Sequence, residues 1–119
     1  MKRFYYLSSC STFIRILKEI NLSSDFELMD IKRTNIDADT LDIIASKTGL
    51  YESLFSRKAM KYKALGLNKQ NLSEQDFRQL ILEEYTFLKR PVLIDGNHVF
   101  VGNSKDTVNQ IIKHLNVVY

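Results

Sequence analysis

The chain has 119 residues, of which 45% are hydrophobic and 26% charged, with one cysteine, one proline and a formal charge of +3. That length and composition predict one domain with a real core and no disorder. No apolar run reaches the ~18 residues of a membrane span, a lone cysteine cannot close an internal disulfide, and mild, interspersed positive charge is no nucleic-acid footprint, although it can help attract a small anion.

Met1-Lys2-Arg3 runs directly into apolar residues without a signal-like stretch, so a reducing cytoplasm is the expected compartment. Phe4, Tyr5, Tyr6 and Leu7 predict a strand over about 2–7. Phe13, Ile14, Ile16, Leu17 and Ile20 predict a helix over about 11–20 that stops at Asn21. Phe26, Leu28 and Ile31 alternate around Met29 and give a second strand near about 26–30, which completes a β-α-β unit. Asp37 or Asp39 can cap the next helix, whose apolar side is Leu41, Ile43, Ile44 and Ala45 and whose end is Gly49. Short helical pieces follow over about 51–55 and about 58–64, the second ending at Gly66. Ser73 with Asp76 resembles a capping box ahead of Phe77, Leu80, Ile81 and Leu82, in a helix that ends around Glu84. Val92-Leu93-Ile94 and Val99-Phe100-Val101 flank Asp95-Gly96-Asn97-His98, a hairpin signal, and Ser104-Lys105 open a last helix carrying Val108, Ile111, Ile112 and Leu115. The order is β-α-β, helices, β-β-α, without repeats, low-complexity stretches or linkers.

Cys10 falls where the first strand gives way to the first helix. Unpaired N–H groups at a helix start carry the positive end of the dipole and pull a thiol toward thiolate. A buried, inert small hydrophobe is the alternative; the polar flanks Ser8-Ser9 and Ser11-Thr12 favour an exposed turn instead. A tetrahedral oxyanion needs fixed cationic forks, which arginine supplies and lysine does not. Arg57 and Arg90 both occupy turn positions and are candidates for that task, against the ordinary reading of solvated surface arginines. Arg15 does not complete a C-x5-R phosphate loop, because one intervening residue is missing. Pro91 is either the start of an edge strand or a cis proline.

The stretches Tyr5-Tyr6-Leu7-Ser8-Ser9-Cys10-Ser11-Thr12, Leu54-Phe55-Ser56-Arg57-Lys58, Tyr62-Lys63-Ala64-Leu65-Gly66-Leu67, Leu88-Lys89-Arg90-Pro91-Val92-Leu93-Ile94-Asp95 and Val101-Gly102 run along nearly the whole chain. In order and spacing they resemble the ArsC/Spx/YffB superfamily of arsenate reductase-like proteins. The resemblance implies a thioredoxin-like α/β fold, with a mixed four-stranded sheet and a helical insertion between the β-α-β half and the closing β-β-α half, as a single domain over 1–119. It implies Cys10 as nucleophile, Arg57 and Arg90 as its oxyanion-binding arginines, and a cis Arg90-Pro91 bond facing the cysteine. Ser11, Thr12 and Pro91 would sit beside the substrate, and Ser11 and Thr12 would help lower the thiol pKa.

The activity implied is that of an arsenate reductase-like thiol oxidoreductase acting on a small oxyanion or a thiol/disulfide substrate. It would hold no bound cofactor and would use glutathione or glutaredoxin as external reductant. The Spx branch implies the alternative, a non-enzymatic module that binds RNA polymerase or another protein; neither direct nucleic-acid binding nor a membrane partner is expected. Three positions depart from the enzymatic pattern: Val101 stands at the third oxyanion arginine, Tyr6 at a histidine four residues before the cysteine, and Ser11 at a position often held by glycine. Each charge-assisted hydrogen bond lost from an anion is worth roughly 1.5–3 kcal/mol, so losing one or two weakens arsenate binding roughly ten- to a thousandfold. Phe13, three residues after Cys10, excludes a C-x-x-C switch.

The remaining candidates read as structural. His98 and His114 lie far apart without acidic or cysteine neighbours at ligand spacing, so surface roles are expected and metal binding is not. Tyr5, Tyr6, Tyr51, Tyr62, Tyr85 and Tyr119 are spread over different elements, most of them as core-edge residues, and Lys58, Lys61 and Lys63 with Arg57 form a solvated basic face that could steer an anion.

Overall fold

The computed structural model describes residues 1–116. In chain order the elements are β1 (Lys2–Tyr6), α1 (Ser11–Ile20), β2 (Glu27–Asp30), α2 (Ala38–Thr48), α3 (Met60–Ala64), α4 (Glu74–Glu83), β3 (Val92–Asp95), β4 (His98–Val101) and α5 (Lys105–Leu115), with 3-10 turns at Glu52–Leu54, Leu67–Lys69 and Tyr85–Phe87. The chain divides into two compact units, one formed by Met1–Thr34 together with the residues from Arg90 on, the other by Asn35–Lys89. In sequence, the second unit is the helical insertion between β2 and β3.

The first unit holds the whole sheet, in the order β2-β1-β3-β4. β1 runs parallel to β2 and antiparallel to β3, and β3 is antiparallel to β4, which makes the sheet mixed as expected. The α-β crossover demands the parallel pair, and the Asp95-Gly96-Asn97-His98 hairpin demands the last antiparallel one. Phe4 stands opposite both Leu28 and Leu93. Strand alternation therefore places Phe4 and Leu93 on one face, where they pack with Phe13, Ile16 and Ile20 of α1 and Ile111 of α5. Asn21 ends α1 in the left-handed conformation (φ 50°), which asparagine tolerates better than most residues.

In the second unit the caps follow the sequence. The Asp37 carboxylate accepts the Thr40 N–H at 2.7 Å, which settles the choice between Asp37 and Asp39, and Ser73 and Asp76 form a reciprocal capping box on α4. Gly49 closes α2 at φ 105°, a conformation that suits glycine. Phe55, fully buried, lies at the centre: its ring centroid is 5.0 Å from those of both Phe77 and Phe87 and 5.9 Å from that of Tyr62. The Asp42 carboxylate accepts Arg78 Nε at 2.8 Å and the Tyr51 hydroxyl at 2.6 Å.

Several expectations change. The piece expected over about 51–55 is a 3-10 turn at Glu52–Leu54, and two more 3-10 turns lie where three residues are too few to show helical periodicity. Among the tyrosines Tyr5 lies in the core itself: it is 1% exposed, because its strand is paired on both sides. Tyr119 lies outside the described residues. His114 is not a surface residue. It is half-buried, with Nε2 2.9 Å from an Asp95 carboxylate oxygen and its ring 4.6 Å from that of the exposed His98. Among the described residues no three His, Cys, Asp or Glu side chains converge as a metal site, and no helix is long and apolar enough to cross a membrane. Lys58, Lys61 and Lys63 are all exposed, and Lys61 also pairs with Glu84.

Replacing Phe55 by alanine removes a fully buried aromatic ring and its three ring partners. The expected cost is about 3–5 kcal/mol, read as a lower urea midpoint with a nearly unchanged slope.

Candidate functional site

β1 ends at Tyr6, and four residues later the chain enters α1 through Cys10, whose backbone is extended (φ −106°, ψ 118°), the geometry of an N-cap residue. Its own N–H donates to the Leu7 carbonyl at 3.1 Å, and its carbonyl accepts the Ile14 N–H at 3.3 Å. The thiol thereby projects from the open end of a ten-residue helix whose first N–H groups lack intrahelical acceptors. Cys10 is half-buried, packed along the edge of the cluster around Phe13 and Phe4.

Two opposed influences act on this thiol. Burial, the largest single one, raises its pKa. The backbone N–H groups of Phe13 and Thr12, the Thr12 hydroxyl and the Arg90 charge together outweigh it and hold the thiol below its ordinary range. The Cys10 side chain makes no capping hydrogen bond in this structure. What the donors provide is a preference for the anion once the proton has left. Thr12 is half-buried, while Ser11 is exposed on the same turn.

Arg90 reaches this end of the sheet through strand register. Val92 at the start of β3 stands opposite Tyr5 near the end of β1, so the residues just before β3 and just after β1 emerge at the same edge. The Arg90–Pro91 peptide is cis, as the resemblance implies. Pro91 is buried, and its carbonyl accepts the Gly102 N–H at 2.9 Å. The Arg90 guanidinium carbon lies 5.6 Å from the centroid of the Phe13 ring, a stacking contact that holds the cation over the first turn of α1. Val101 sits in β4, paired with Val92, and brings an apolar side chain to its position.

Cys10, Thr12 and Arg90 are thus brought together within the first unit. Arg57 belongs to the second unit, where its Nη2 lies 2.6 Å from a Glu52 carboxylate oxygen and its guanidinium carbon 5.5 Å from the Phe77 ring centroid.

Two residues near these groups escape a reading by sequence. Asp30, at the end of β2, accepts the Ser8 hydroxyl at 2.5 Å and the Lys32 N–H at 3.3 Å, and so clips the loop before Cys10 to the neighbouring strand. The Ser8 hydroxyl, ahead of a smaller opposing effect of burial, holds the Asp30 carboxyl below its usual range. An acidic residue ending a strand parallel to the cysteine-bearing one was the available signal. Glu52 is the other, and nothing in its local pattern marks it.

Thr12→Val keeps the shape of the side chain and removes the hydroxyl. The alkylation rate of Cys10 against pH is expected to titrate at a higher pH in this variant and in Arg90→Gln; an unmoved profile in both contradicts this account. Asp30 bears on acid stability. Its folded pKa lies below its unfolded one, so its contribution is complete above the ordinary carboxylate range and is lost as pH falls through the depressed folded value. Thermal melts from neutral to acidic pH are expected to fall less steeply for Asp30→Asn than for the unaltered chain.

Residues 5–111 match the ArsC family. An arsenate reductase of Haemophilus influenzae is 30% identical over 74 residues, which span 60% of this chain and 64% of that protein. The YusI protein of Bacillus subtilis is 26% identical over 107 residues, 87% of this chain and 91% of its own. Among solved structures, an ArsC family related protein from Bacteroides fragilis superposes with a TM-score of 0.76 at 22% identity, over 92% of this chain and 96% of the other, which extends the likeness to the fold. With the match running from β1 into α5 and taking in Cys10, Arg57 and Arg90, the chain belongs to the ArsC family.

Proposed function

We propose that this protein is a thiol oxidoreductase of the arsenate reductase type, with Cys10 as nucleophile. The observation that carries the reading is the placement of the only cysteine at the N-cap of α1, where N–H groups, the Thr12 hydroxyl and Arg90 favour its thiolate. Membership of the ArsC family and the likeness to an arsenate reductase support it.

With arsenate, the Cys10 thiolate attacks the arsenic(V) centre, and an arsenate oxygen leaves as water after taking protons from solvent. Arg90 stabilises the negative charge on the remaining oxygens, the task that the family resemblance also assigns to Arg57. A glutathione thiol then attacks the Cys10 sulfur. The sulfur–sulfur bond forms as the sulfur–arsenic bond breaks, two electrons pass to arsenic, and arsenite departs. A second glutathione, or a glutaredoxin thiol, attacks the resulting mixed disulfide and releases the Cys10 thiolate. With a disulfide as substrate, the first attack instead expels a thiolate, and the same resolving step follows. The external thiol is required because Cys10 has no cysteine partner within the chain.

A second reading is a protein-binding module of the Spx kind that contacts RNA polymerase, and Val101 at the third-arginine position favours it by removing a cation from the oxyanion site. The two readings separate in one assay. Cys10→Ser is expected to abolish glutathione-dependent reduction of arsenate or of a model disulfide, and arsenate is expected to slow alkylation of Cys10 in the unaltered chain. Turnover that survives Cys10→Ser eliminates the reductase scheme, whereas absent turnover with a reproducibly captured RNA polymerase subunit supports the module.

A further inference from the structure

Arg57 does not present an open guanidinium. Its Nη2 is held by Glu52 Oε2 at 2.6 Å, and both side chains keep 47% of their surface accessible. Exposed ion pairs are weak when both partners are loose, but here the backbone under each is fixed. The Glu74 carboxylate accepts the N–H groups of Tyr51 at 2.7 Å and of Glu52 at 3.2 Å, which anchors the 3-10 turn that carries Glu52. On the other side Phe55 is fully buried and the Ser56 N–H donates to the Phe87 carbonyl at 2.7 Å, immediately before Arg57. Stacking on Phe77 limits the guanidinium further.

Beside this pair opens a cavity of about 230 Å³, lined by Glu52, Arg57, Tyr62, Gln70 and Asn71 among others. It has room for a small anion or the end of an organic ligand. An anion that bonds to Arg57 there meets the Glu52 carboxylate on the same guanidinium. It must displace that carboxylate or sit against its charge, and the penalty grows with the charge the ligand brings. Glu52 thus neutralises the Arg57 cation within its own unit.

We infer that Glu52 is a specificity-determining residue: its carboxylate is a built-in competitor for the Arg57 guanidinium, which turns away free dianionic oxyanions and favours organic thiols and disulfides of low net charge. This inference rests on the reading of Arg57 as a residue that binds the ligand.

The test is a calorimetric titration of the full chain with arsenate at low salt, alongside reduction of the uncharged bis(2-hydroxyethyl) disulfide by glutathione. Glu52→Gln keeps the shape and removes the charge, and is expected to tighten arsenate binding roughly three- to tenfold, the span of one modest ion pair. Glu52→Asp, which keeps the charge, stays near the unaltered affinity, and adding Arg57→Gln to Glu52→Gln cancels the gain. The KM for the uncharged disulfide moves far less than the arsenate affinity. If Glu52→Gln leaves arsenate binding unchanged while Arg57→Gln weakens it, the role of Glu52 is overturned and Arg57 keeps its own. If Arg57→Gln has no effect, or no variant binds arsenate, the reading of Arg57 fails and the inference falls with it.

Discussion

The pairing of β1 with β3 is the constraint from which the site follows. β1 is a central strand, with Phe4 and Tyr5 buried and partners along both edges. Because β3 runs antiparallel to it with Val92 opposite Tyr5, the end of one strand and the start of the other are fixed at the same edge of the sheet. A slip of one residue would turn Phe4 and Leu93 away from α1 and α5, so the hydrophobic core itself enforces the register. Cys10 and Arg90, eighty positions apart in sequence, are neighbours in chemistry because of that register.

The same geometry accounts for the electrostatics of the thiol. α1 must bury Phe13, Ile16 and Ile20 against the sheet, and that seats its first turn at the rim of the core. Half-burial there opposes ionisation, yet it also keeps water from screening the N–H groups, the Thr12 hydroxyl and the Arg90 charge. A fully exposed cysteine would feel these donors weakly. A fully buried one would stay protonated and out of reach of substrate. The position at the helix mouth lies between the two limits, and Asp30 fixes it by holding Ser8 in the loop that leads to it.

Most of this architecture was legible along the chain because the signals are local. Asp37, Gly49, Ser73 with Asp76, and Ser104 mark helix ends through side chains and backbone conformations that act within four residues. Cys10 at the strand-to-helix junction was legible for the same reason. The cis Arg90-Pro91 bond was readable only through resemblance, since proline at a strand start fits either isomer. Contacts made by the returning chain were not readable at all. His114 meets Asp95 and His98 because α5 folds back onto the hairpin, and no spacing rule joins those positions. The Glu52–Arg57 pair was hidden differently: its five-residue separation has no meaning on a regular helix face, and a 3-10 turn followed by an extended residue brings the two together.

The groups around Cys10 and those around Arg57 therefore belong to different parts of the chain. The groups that favour the Cys10 thiolate are all supplied by the first unit and depend on sheet register and one helix start. Arg57 and its competitor Glu52 are supplied by the second unit, on a segment held by Phe55 and Glu74 rather than by the sheet. A change in the insertion can alter the Arg57–Glu52 pair without touching the helix N-terminus that lowers the thiol pKa. Altering the thiol's pKa, by contrast, requires changes next to the core, where each lost methylene costs stability. Substitutions at exposed Glu52 escape that cost, since its carboxylate is half in solvent and its backbone is fixed by other residues. The fold thus leaves the surroundings of Arg57 far freer to vary than those of the Cys10 thiol.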